Sequence, residues 1–369
     1  MPQVVIVGGG VIGCATAYFL AKNGASVTLL ERGELAGEAS GAAAGMLAAL
    51  SDEGGSRGPE FQQLCLDGLD LYESVLPVLD ATGVDLRYSR AGVLHLALIN
   101  HEAEPLKRRY EQQLALAPDN RWLEGDALRE EEPQAQPHAV AGLLSPREHF
   151  LDPQRLTLAF AEAARREGAS IQTQTAVTGL VQTDGKVSSV RTAGGRIEAA
   201  SVLLSGGPWT AGMAAKLGAF IPVRPVRGQM ISLRGPKQPL RHVIWGEHAY
   251  LVPREDGQTF VGATVEEVGF RRRNTLTGLA RLRRAATELV PALKDADLVR
   301  SWSGLRPGTP DGLPILGQLP GHENVWVATG HFRNGILLAP ITGQLMAEGI
   351  RSGETPARLQ PFSPLRFVS

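Results

Sequence analysis

In the first thirty residues, two short apolar runs flank one longer segment of mixed apolar and polar character. Residues 4–7 and Ser26–Leu30 are short and largely apolar, the pattern of strands that are buried on both faces of a sheet. Val11–Lys22, between them, has the length and composition of a helix. The pattern therefore predicts a βαβ unit with short connections at the start of the chain.

Similar patterns divide the rest of the chain into helices and short strands. Apolar positions three to four residues apart predict helices at 61–81, 101–116, 156–167, 275–290 and from about 340 to 350. Alternating apolar positions predict strands at 86–98, 170–171, 176–182, 187–192, 202–204, 249–252 and 259–261. Ends that are rich in Ala and Gly, with β-rich segments between them, predict an α/β fold, in which a Rossmann-like domain is interleaved with a smaller α+β domain built on an antiparallel sheet.

Composition narrows the class of protein. A chain of 369 residues, 43% hydrophobic and 20% charged, is typical of a globular protein of about two domains. A net charge of -1 gives no field that would attract nucleic acid or an anionic membrane, and no apolar stretch approaches the roughly 18 residues of a membrane helix. The two cysteines, Cys14 and Cys65, fit a reducing compartment, so we expect a cytoplasmic protein without nucleic-acid partner or integral membrane association. His248 and His331 lack the spacing of metal ligands, and no metal site is predicted.

A glycine fingerprint follows the first strand. Residues 8–13 read Gly-Gly-Gly-Val-Ile-Gly and fit G-x-G-x-x-G, with Gly8 for the tight turn, Gly10 for the approach of a pyrophosphate and Gly13 for helix packing. Glu31, at the end of the second strand, is placed to accept hydrogen bonds from a ribose, and its charge would oppose a 2′-phosphate. The fingerprint predicts a dinucleotide that contains ADP, and it leaves NAD and FAD both open.

Two arginines near the C-terminus are framed by glycines. Arg306 lies in Gly-Leu-Arg-Pro-Gly-Thr at 304–309, and Arg333 lies in Gly-His-Phe-Arg-Asn-Gly at 330–335. A buried guanidinium needs an anion or a set of acceptors, and glycine lets the backbone approach a ligand closely. The helix predicted after Pro340 would direct its N-terminus at a reduced flavin. The alternative for both arginines is an ordinary salt bridge. Tyr250, which is the other candidate donor for an acidic ligand, could instead be a half-buried tyrosine of a strand.

These segments resemble the D-amino-acid oxidase superfamily of flavoproteins, and within it the bacterial glycine oxidase family. The resemblance rests on residues 4–13, 42–47, 250–254, 261–264, 304–309 with Asp311-Gly312, and 330–340. It implies non-covalent FAD, since neither cysteine is expected near the C-terminal segment. It also implies an FAD-binding domain of residues 1–85, 146–220 and 303–369, a substrate domain of residues 86–145 and 221–302, and a homo-oligomer, with a tetramer as the state that the resemblance indicates.

The resemblance also implies two sets of site residues. The substrate would meet Arg306 as the carboxylate clamp, Tyr250, Met46 and Val265. The residues expected at the cofactor are Gly8, Gly10, Val11, Ile12, Gly13, Glu31, Arg32, Ala39, Ser40, Ala44, Gly45, Met46, Val177, His331, Phe332, Arg333, Asn334, Gly335, Ile336 and Leu337. Val265 replaces a methionine of the family pattern, which would admit bulkier amines, and Ala39-Ser40 replaces a pair of threonines.

The reaction implied is the oxidative deamination of glycine and other small primary or secondary amines, such as sarcosine and small D-amino acids. Flavin N5 would accept the hydride, so no side chain is required as an acid or base. The products would be a 2-oxo acid, ammonia or an amine, and hydrogen peroxide, and the resemblance implies that the imine supplies the thiazole of thiamine. The alternatives are an FAD-dependent dehydrogenase of D-amino acids or hydroxy acids, which passes electrons to a carrier, and a non-catalytic dinucleotide-binding protein.

Overall fold

The computed structural model describes residues 3–51, 57–235 and 240–368. The helices are α1 Val11–Lys22, α2 Ala39–Ala42, α3 Pro59–Asp80, α4 Asn100–Gln113, α5 Gly125–Glu131, α6 Pro153–Arg166, α7 Thr210–Ala215, α8 Leu276–Leu289 and α9 Ala339–Ser352. The strands are β1 Gln3–Val7, β2 Ser26–Leu30, β3 Met46–Leu47, β4 Val93–Ala97, β5 Arg121–Leu123, β6 Ala141–Ser145, β7 His149–Phe150, β8 Ser170–Gln172, β9 Gly179–Thr183, β10 Lys186–Thr192, β11 Gly195–Glu198, β12 Ser201–Leu204, β13 Arg224–Arg234, β14 Val243–Trp245, β15 Tyr250–Pro253, β16 Gln258–Gly262, β17 Asp297–Gly308, β18 Ile315–Gln318 and β19 Val325–Thr329.

The N-terminal βαβ unit forms the centre of a six-stranded sheet. The strand order is β18-β19-β12-β1-β2-β8, and all pairs are parallel except β18 with β19. Val4 lies opposite Val27 on one side and Ser201 on the other, so β1 is flanked by strands from distant parts of the chain. The predicted βαβ unit is confirmed, and its helix has the predicted bounds.

The two faces of this sheet are covered by different layers. Val4 and Ile6 pack among the residues of α1, α3, α6 and α9, whereas Val5 packs with Val187 and Val190 of the three-stranded antiparallel sheet β9–β11. Successive side chains of a strand point to opposite faces, which explains why β1 is apolar at every position from 4 to 7. The carboxyl ends of β1, β2, β12 and β19 remain uncovered by either layer and border a cavity.

An eight-stranded sheet forms the second half of the structure, in the order β17-β13-β16-β15-β14-β4-β6-β5. Its pairs are antiparallel except β14 with β4. Leu282 and Ala286 of α8 pack against Ile231 on one face, and the other face carries Met230 and Tyr250. The Rossmann-like sheet and the antiparallel sheet together confirm the predicted fold class.

Several elements differ from the prediction in detail. The strand expected over 86–98 is limited to β4, because Gly92 adopts a φ of +76° directly before it. The helices α5 and α7 and the short ribbon β3–β7 were not predicted. The domain boundaries stay a prediction, and strand β17 runs across the one expected between residues 302 and 303.

Candidate active site

The glycine turn between β1 and α1 has no room for side chains. Gly8 adopts a φ of +121°, and a Cβ there would lie 2.6 Å from the carbonyl oxygen of Ser205. A Cβ on Gly13 would overlap the carbonyl of Gly8, so this residue serves the helix–strand contact. Gly10 precedes α1 without any side-chain cap, while the N–H of Val11 donates to Ser40 Oγ at 3.0 Å. The first turn of α1 thus faces a space that suits a phosphate group.

That space is a cavity of about 420 Å³ at the carboxyl ends of the parallel strands. A cavity at this edge is the usual ligand position of a doubly wound sheet. Most of the predicted cofactor residues line it, namely Gly8, Gly10, Val11, Ile12, Glu31, Arg32, Ala39, Ser40, Val177, His331, Phe332, Arg333, Gly335 and Ile336. We call it the first cavity.

Glu31 is held in the wall of the first cavity by two backbone amides. Its Oε2 accepts a hydrogen bond from the N–H of Gly9 at 2.7 Å, and its Oε1 accepts one from Gly33 at 2.8 Å. Two bonds fix the carboxylate at the end of β2, where sequence reasoning expects a ribose. Remaining acceptor capacity on both oxygens is available to hydroxyl donors.

Sequence reasoning missed one side of the first cavity. The Arg32 guanidinium lies 4.0 Å from the centre of the Trp209 ring, and Trp209 lines the cavity with Ser205 and Thr210. Ser205, Trp209 and Thr210 follow the carboxyl end of β12, within and on either side of the segment Gly-Gly-Pro-Trp at 206–209. A glycine pair after a buried strand was the signal that could have identified this wall.

A second cavity, of about 150 Å³, adjoins the first. Ala39, Ala43, Phe332, Arg333 and Ile336 line both cavities. The predicted residues that line the second cavity are Tyr250, Arg306 and Met46 from the substrate set, and Ala39, Ala44, Gly45, Phe332, Arg333, Asn334, Ile336 and Leu337 from the cofactor set. The structure therefore gathers the two predicted sets around adjoining spaces.

Arg306 projects from β17 into the second cavity. Its Nη1 donates to the carbonyl oxygen of Thr264 at 3.0 Å. Within residues 3–51, 57–235 and 240–368, no carboxylate forms an ion pair with it. Burial lowers the pKa of Arg306, Arg333 lowers it further, and a hydrogen bond with Tyr250 opposes the decrease. A partly buried cation in this position would be stabilised by an anionic ligand.

Two glycines provide the room for Arg306 and Tyr250. A Cβ on Gly228 of β13 would overlap the Arg306 guanidinium. A Cβ on Gly262, the register partner of Tyr250, would overlap the tyrosine ring and its hydroxyl. Sequence reasoning did not single out Gly228, because nothing local marks a glycine that must accommodate a side chain from a neighbouring strand.

Val265 is not brought into the site. Its side chain is 51% exposed and lines neither cavity, whereas the preceding Thr264 is buried and Ala263 lines the second cavity. Val265 lies beyond the end of β16, which ends at Gly262, and its side chain is exposed to solvent. The expectation that Val265 enlarges the substrate space therefore has no support in the structure.

The segment around Ala44 and Gly45 is fixed by a buried arginine. Arg254 donates to the carbonyl oxygens of Leu151, at 3.1 Å, and of Ala44, at 2.5 Å. Burial lowers the pKa of Arg254 to about 10. Gly45 adopts a φ of +85°, and a Cβ there would overlap the carbonyl of Leu151. These bonds set the position of the wall that carries Met46.

The segment from His331 to Leu337 borders the site and begins with a buried histidine. His331 Nε2 lies 3.1 Å from Thr342 Oγ1 of α9, and burial lowers the pKa of His331 to about 3, so the ring is neutral. Cys65 lies closer to this segment than expected, since Asn334 Nδ2 is 3.9 Å from its Sγ. Neither Cys65 nor Cys14 lines either cavity, and burial raises the pKa of the Cys14 thiol to about 12.

A family comparison agrees with this geometry. The model of the family described as "FAD dependent oxidoreductase" matches residues 3–349. The chain belongs to the FAD dependent oxidoreductase family, and its cofactor is FAD. The uncapped N-terminus of α1, the crowded glycines of the turn and the adjoining cavities fit that cofactor.

Individual relatives narrow the class. The chain is 36% identical to a glycine oxidase of Geobacillus kaustophilus, over 99% of this chain and 97% of the relative. The crystal structure of glycine oxidase from Geobacillus kaustophilus matches with a TM-score of 0.93 at 33% identity and covers 100% of both chains. The bifunctional protein ThiO/ThiG of Trichormus variabilis is 36% identical over 99% of this chain, which spans 55% of that protein.

Two further findings concern features that the sequence does not predict, a membrane-spanning helix and a metal site. Among the described residues, no helix is both long enough and apolar enough to cross a membrane. The same residues contain no group of three or more His, Cys, Asp or Glu side chains that could hold a metal ion.

Proposed function

We propose that this protein is an FAD-dependent oxidase of glycine and other small primary or secondary amines. The observation that carries the proposal is the Arg306–Tyr250 pair, which lies in a small cavity that adjoins the cofactor cavity. The net reaction is amine, water and oxygen to 2-oxo acid, ammonia or amine, and hydrogen peroxide. The full-length similarity to glycine oxidases supports glycine as a substrate.

In this proposal Arg306 binds the substrate carboxylate. A guanidinium can offer two parallel N–H donors to a carboxylate, which fixes both position and orientation. Nη1 is already bonded to Thr264, so this bond orients the guanidinium toward the cavity. The hydroxyl of Tyr250 adds a second fixed contact with the carboxylate.

The remaining chemistry requires orientation more than proton transfer. Bound FAD supplies the two-electron acceptor for the hydrogen on the substrate Cα. The walls formed by Met46, Trp245 and Tyr250 exclude water and hold the Cα at the boundary between the two cavities. The amine must be neutral to release hydride, so we expect the rate to rise with pH without any protein group that acts as a base.

We further propose that the cofactor residues act as the sequence analysis predicts. The amides of the glycine turn and α1 bind the pyrophosphate, Glu31 binds the ribose, and the segment from His331 to Leu337 borders the flavin ring. FAD is bound non-covalently, since neither cysteine reaches a cavity.

The cellular role is the part of the proposal that depends most on relatives. The fused ThiO/ThiG proteins support a role in thiamine synthesis, in which the imine product would be consumed. The two free, buried cysteines are consistent with a cytoplasmic location. The homo-oligomer, with the tetramer that the family resemblance indicates, stays a prediction.

The test is a peroxide assay of the purified protein with glycine, sarcosine, D-alanine and D-proline, together with anaerobic bleaching of the bound flavin. We expect bleaching and peroxide with glycine. Bleaching by D-proline or a hydroxy acid but not by glycine, with electrons passed to a dye rather than to oxygen, would favour the dehydrogenase. A yellow protein that no substrate bleaches would favour the non-catalytic alternative.

A further inference from the structure

A hydrogen-bonded chain of three buried side chains lies behind the second cavity. Glu148 is 0% exposed, and its Oε1 accepts hydrogen bonds from the N–H groups of Leu50, at 2.6 Å, and Ser51, at 2.8 Å. Its Oε2 accepts a short hydrogen bond from the Ser51 hydroxyl. The same hydroxyl oxygen lies 2.6 Å from Nε2 of the buried His95. None of the three side chains lines either cavity.

One end of this chain fixes the segment that follows β3. Met46 in β3 and Ala48 after it line the second cavity, and Leu50 and Ser51 follow after the single residue Ala49. Because Glu148 accepts hydrogen bonds from two consecutive amides, it sets the path of this backbone. Glu148 also directly precedes β7, which pairs with β3. The first wall of the cavity is therefore tied to a buried carboxylate.

The other end of the chain supports the opposite wall. His95 in β4 is the register partner of Trp245 in β14, and the two rings stack with their centres 5.3 Å apart and a 23° angle between planes. The Trp245 ring is 5.6 Å from that of Tyr250, and both line the cavity. A change in the His95 ring would move Trp245, and through it the position of Tyr250.

We infer that Glu148, Ser51 and His95 hold the Met46–Ala48 wall and the Trp245–Tyr250 wall at a fixed separation, and so determine which small amines the second cavity accepts. The inference rests on the proposed function, because it takes this cavity as the substrate site. All three are positioning residues, since none reaches the substrate. Burial raises the pKa of Glu148 and lowers that of His95, and the bonds from Ser51 and the two amides oppose the rise for Glu148.

Two variants break the chain and one restores part of it. Ser51→Ala removes a single hydroxyl and disconnects His95 from Glu148. His95→Leu removes both the hydrogen bond and the ring under Trp245, whereas His95→Gln keeps an amide that can reach Ser51 Oγ. Glu132→Gln is the matched control. Glu132 is equally buried and accepts hydrogen bonds from the amides of Arg241 and His242, and neither it nor those residues line a cavity.

The first readout is the affinity of the FAD-loaded protein for glycolate, an acid of glycine's size, followed as a change in flavin absorbance. The second is the ratio of kcat/KM for glycine to that for D-alanine. We expect Ser51→Ala and His95→Leu to weaken glycolate binding and to lower this ratio by about three- to tenfold each, the usual effect of one lost hydrogen bond. The change should appear mainly in KM, with His95→Gln closer to the wild type and Glu132→Gln unchanged.

A third readout does not require turnover. The near-ultraviolet circular dichroism of Trp245 is obtained by subtracting the spectrum of the matching Trp245→Phe protein. We expect this signal to change in Ser51→Ala and His95→Leu and to stay as in the wild type in Glu132→Gln.

The outcomes separate the two proposals. A wild-type protein that binds no glycolate and oxidises no amine would contradict the proposed function, while the Trp245 signal would still test the positioning. An active wild type, with folded Ser51→Ala and His95→Leu proteins that keep its glycolate affinity, substrate ratio and Trp245 signal, would overturn this inference. Equal losses in Glu132→Gln would also overturn it, since the effect would then come from general destabilisation.

Discussion

The two cavities are built in different ways. The first is formed largely by backbone and small residues at the ends of parallel strands, in a turn where Gly8 and Gly13 leave no room for side chains. The second lies against one face of the eight-stranded sheet, and its side chains come from segments as far apart as Met46 and Arg306. A backbone site binds a group that many proteins share, whereas a side-chain site can change its ligand through a few substitutions. We therefore expect changes in the two cavities to have separable effects.

Arg306→Ala is expected to give the largest difference between the effect on amine oxidation and the effect on FAD binding. The protein should keep its yellow colour, because Arg306 lines only the second cavity. Loss of a two-donor contact with the carboxylate should lower kcat/KM for glycine by about a hundredfold or more. Steady-state peroxide kinetics and the flavin spectrum measure the two effects. Loss of FAD in this variant would contradict the division between the cavities.

Gly228→Ala tests the second cavity through the contact between Gly228 and Arg306. A Cβ at this position would overlap the Arg306 guanidinium, so the arginine must move. We expect a decrease in kcat/KM for glycine of about tenfold to a hundredfold, while FAD stays bound. Gly179→Ala in β9 is the matched control, because its nearest neighbour would be in ordinary contact at 3.8 Å. Equal activities of the two variants would show that the fit around Arg306 is less tight than the structure indicates.

His331 gives a pH test of the first cavity, which it lines next to Phe332 and Arg333. The pKa of His331 is about 3 in the folded protein and near 6.5 when unfolded, so the unfolded chain binds more protons at intermediate pH. Its contribution to stability is complete above pH 6.5 and decreases as the pH falls. Between pH 6.5 and pH 5 the loss should be about 2 kcal/mol. Denaturant unfolding should show a smaller pH dependence in His331→Gln, and an unchanged one would mean that the ring has the same pKa in the folded and unfolded protein.

The smallest effect is expected at the rim of the first cavity. Glu38 forms ion pairs with Arg32, at 2.7 Å, and with Arg272, at 2.6 Å, and all three side chains are partly exposed. Exposed pairs contribute little, so Arg272→Ala should weaken FAD binding by about twofold to fivefold and leave kcat of the loaded enzyme unchanged. Fluorescence titration of the apoprotein with FAD measures this. The effect on FAD binding should decrease with added salt. A change in kcat of the loaded enzyme would instead contradict the expectation that the two cavities act separately.

The sequence alone predicted the first cavity better than the second, for a physical reason. The strand, glycine turn, helix and Glu31 are adjacent in sequence, so local pattern is sufficient to place them. Gly228, Gly262 and Trp245 acquire their roles only from neighbouring strands, which no local pattern reveals. Arg306 and Tyr250 were placed through family resemblance, and Val265, assigned in the same way, lies outside the cavity. The contact between Cys65 and Asn334 likewise depends on a helix and a loop that are 269 residues apart.

The partition between the cavities consists of residues that belong to both, among them Ala39, Phe332 and Arg333. A ligand in either cavity therefore contacts these same side chains and restricts their positions. If the cofactor raises the affinity for an amino acid in this way, thermodynamic reciprocity requires that the amino acid raise the affinity for the cofactor by the same factor. It also suggests an order of assembly, in which a vacant apoprotein has an ill-defined amino-acid site until the dinucleotide has filled its own. Inhibitors that occupy the smaller space should consequently slow the loss of the cofactor from the larger one.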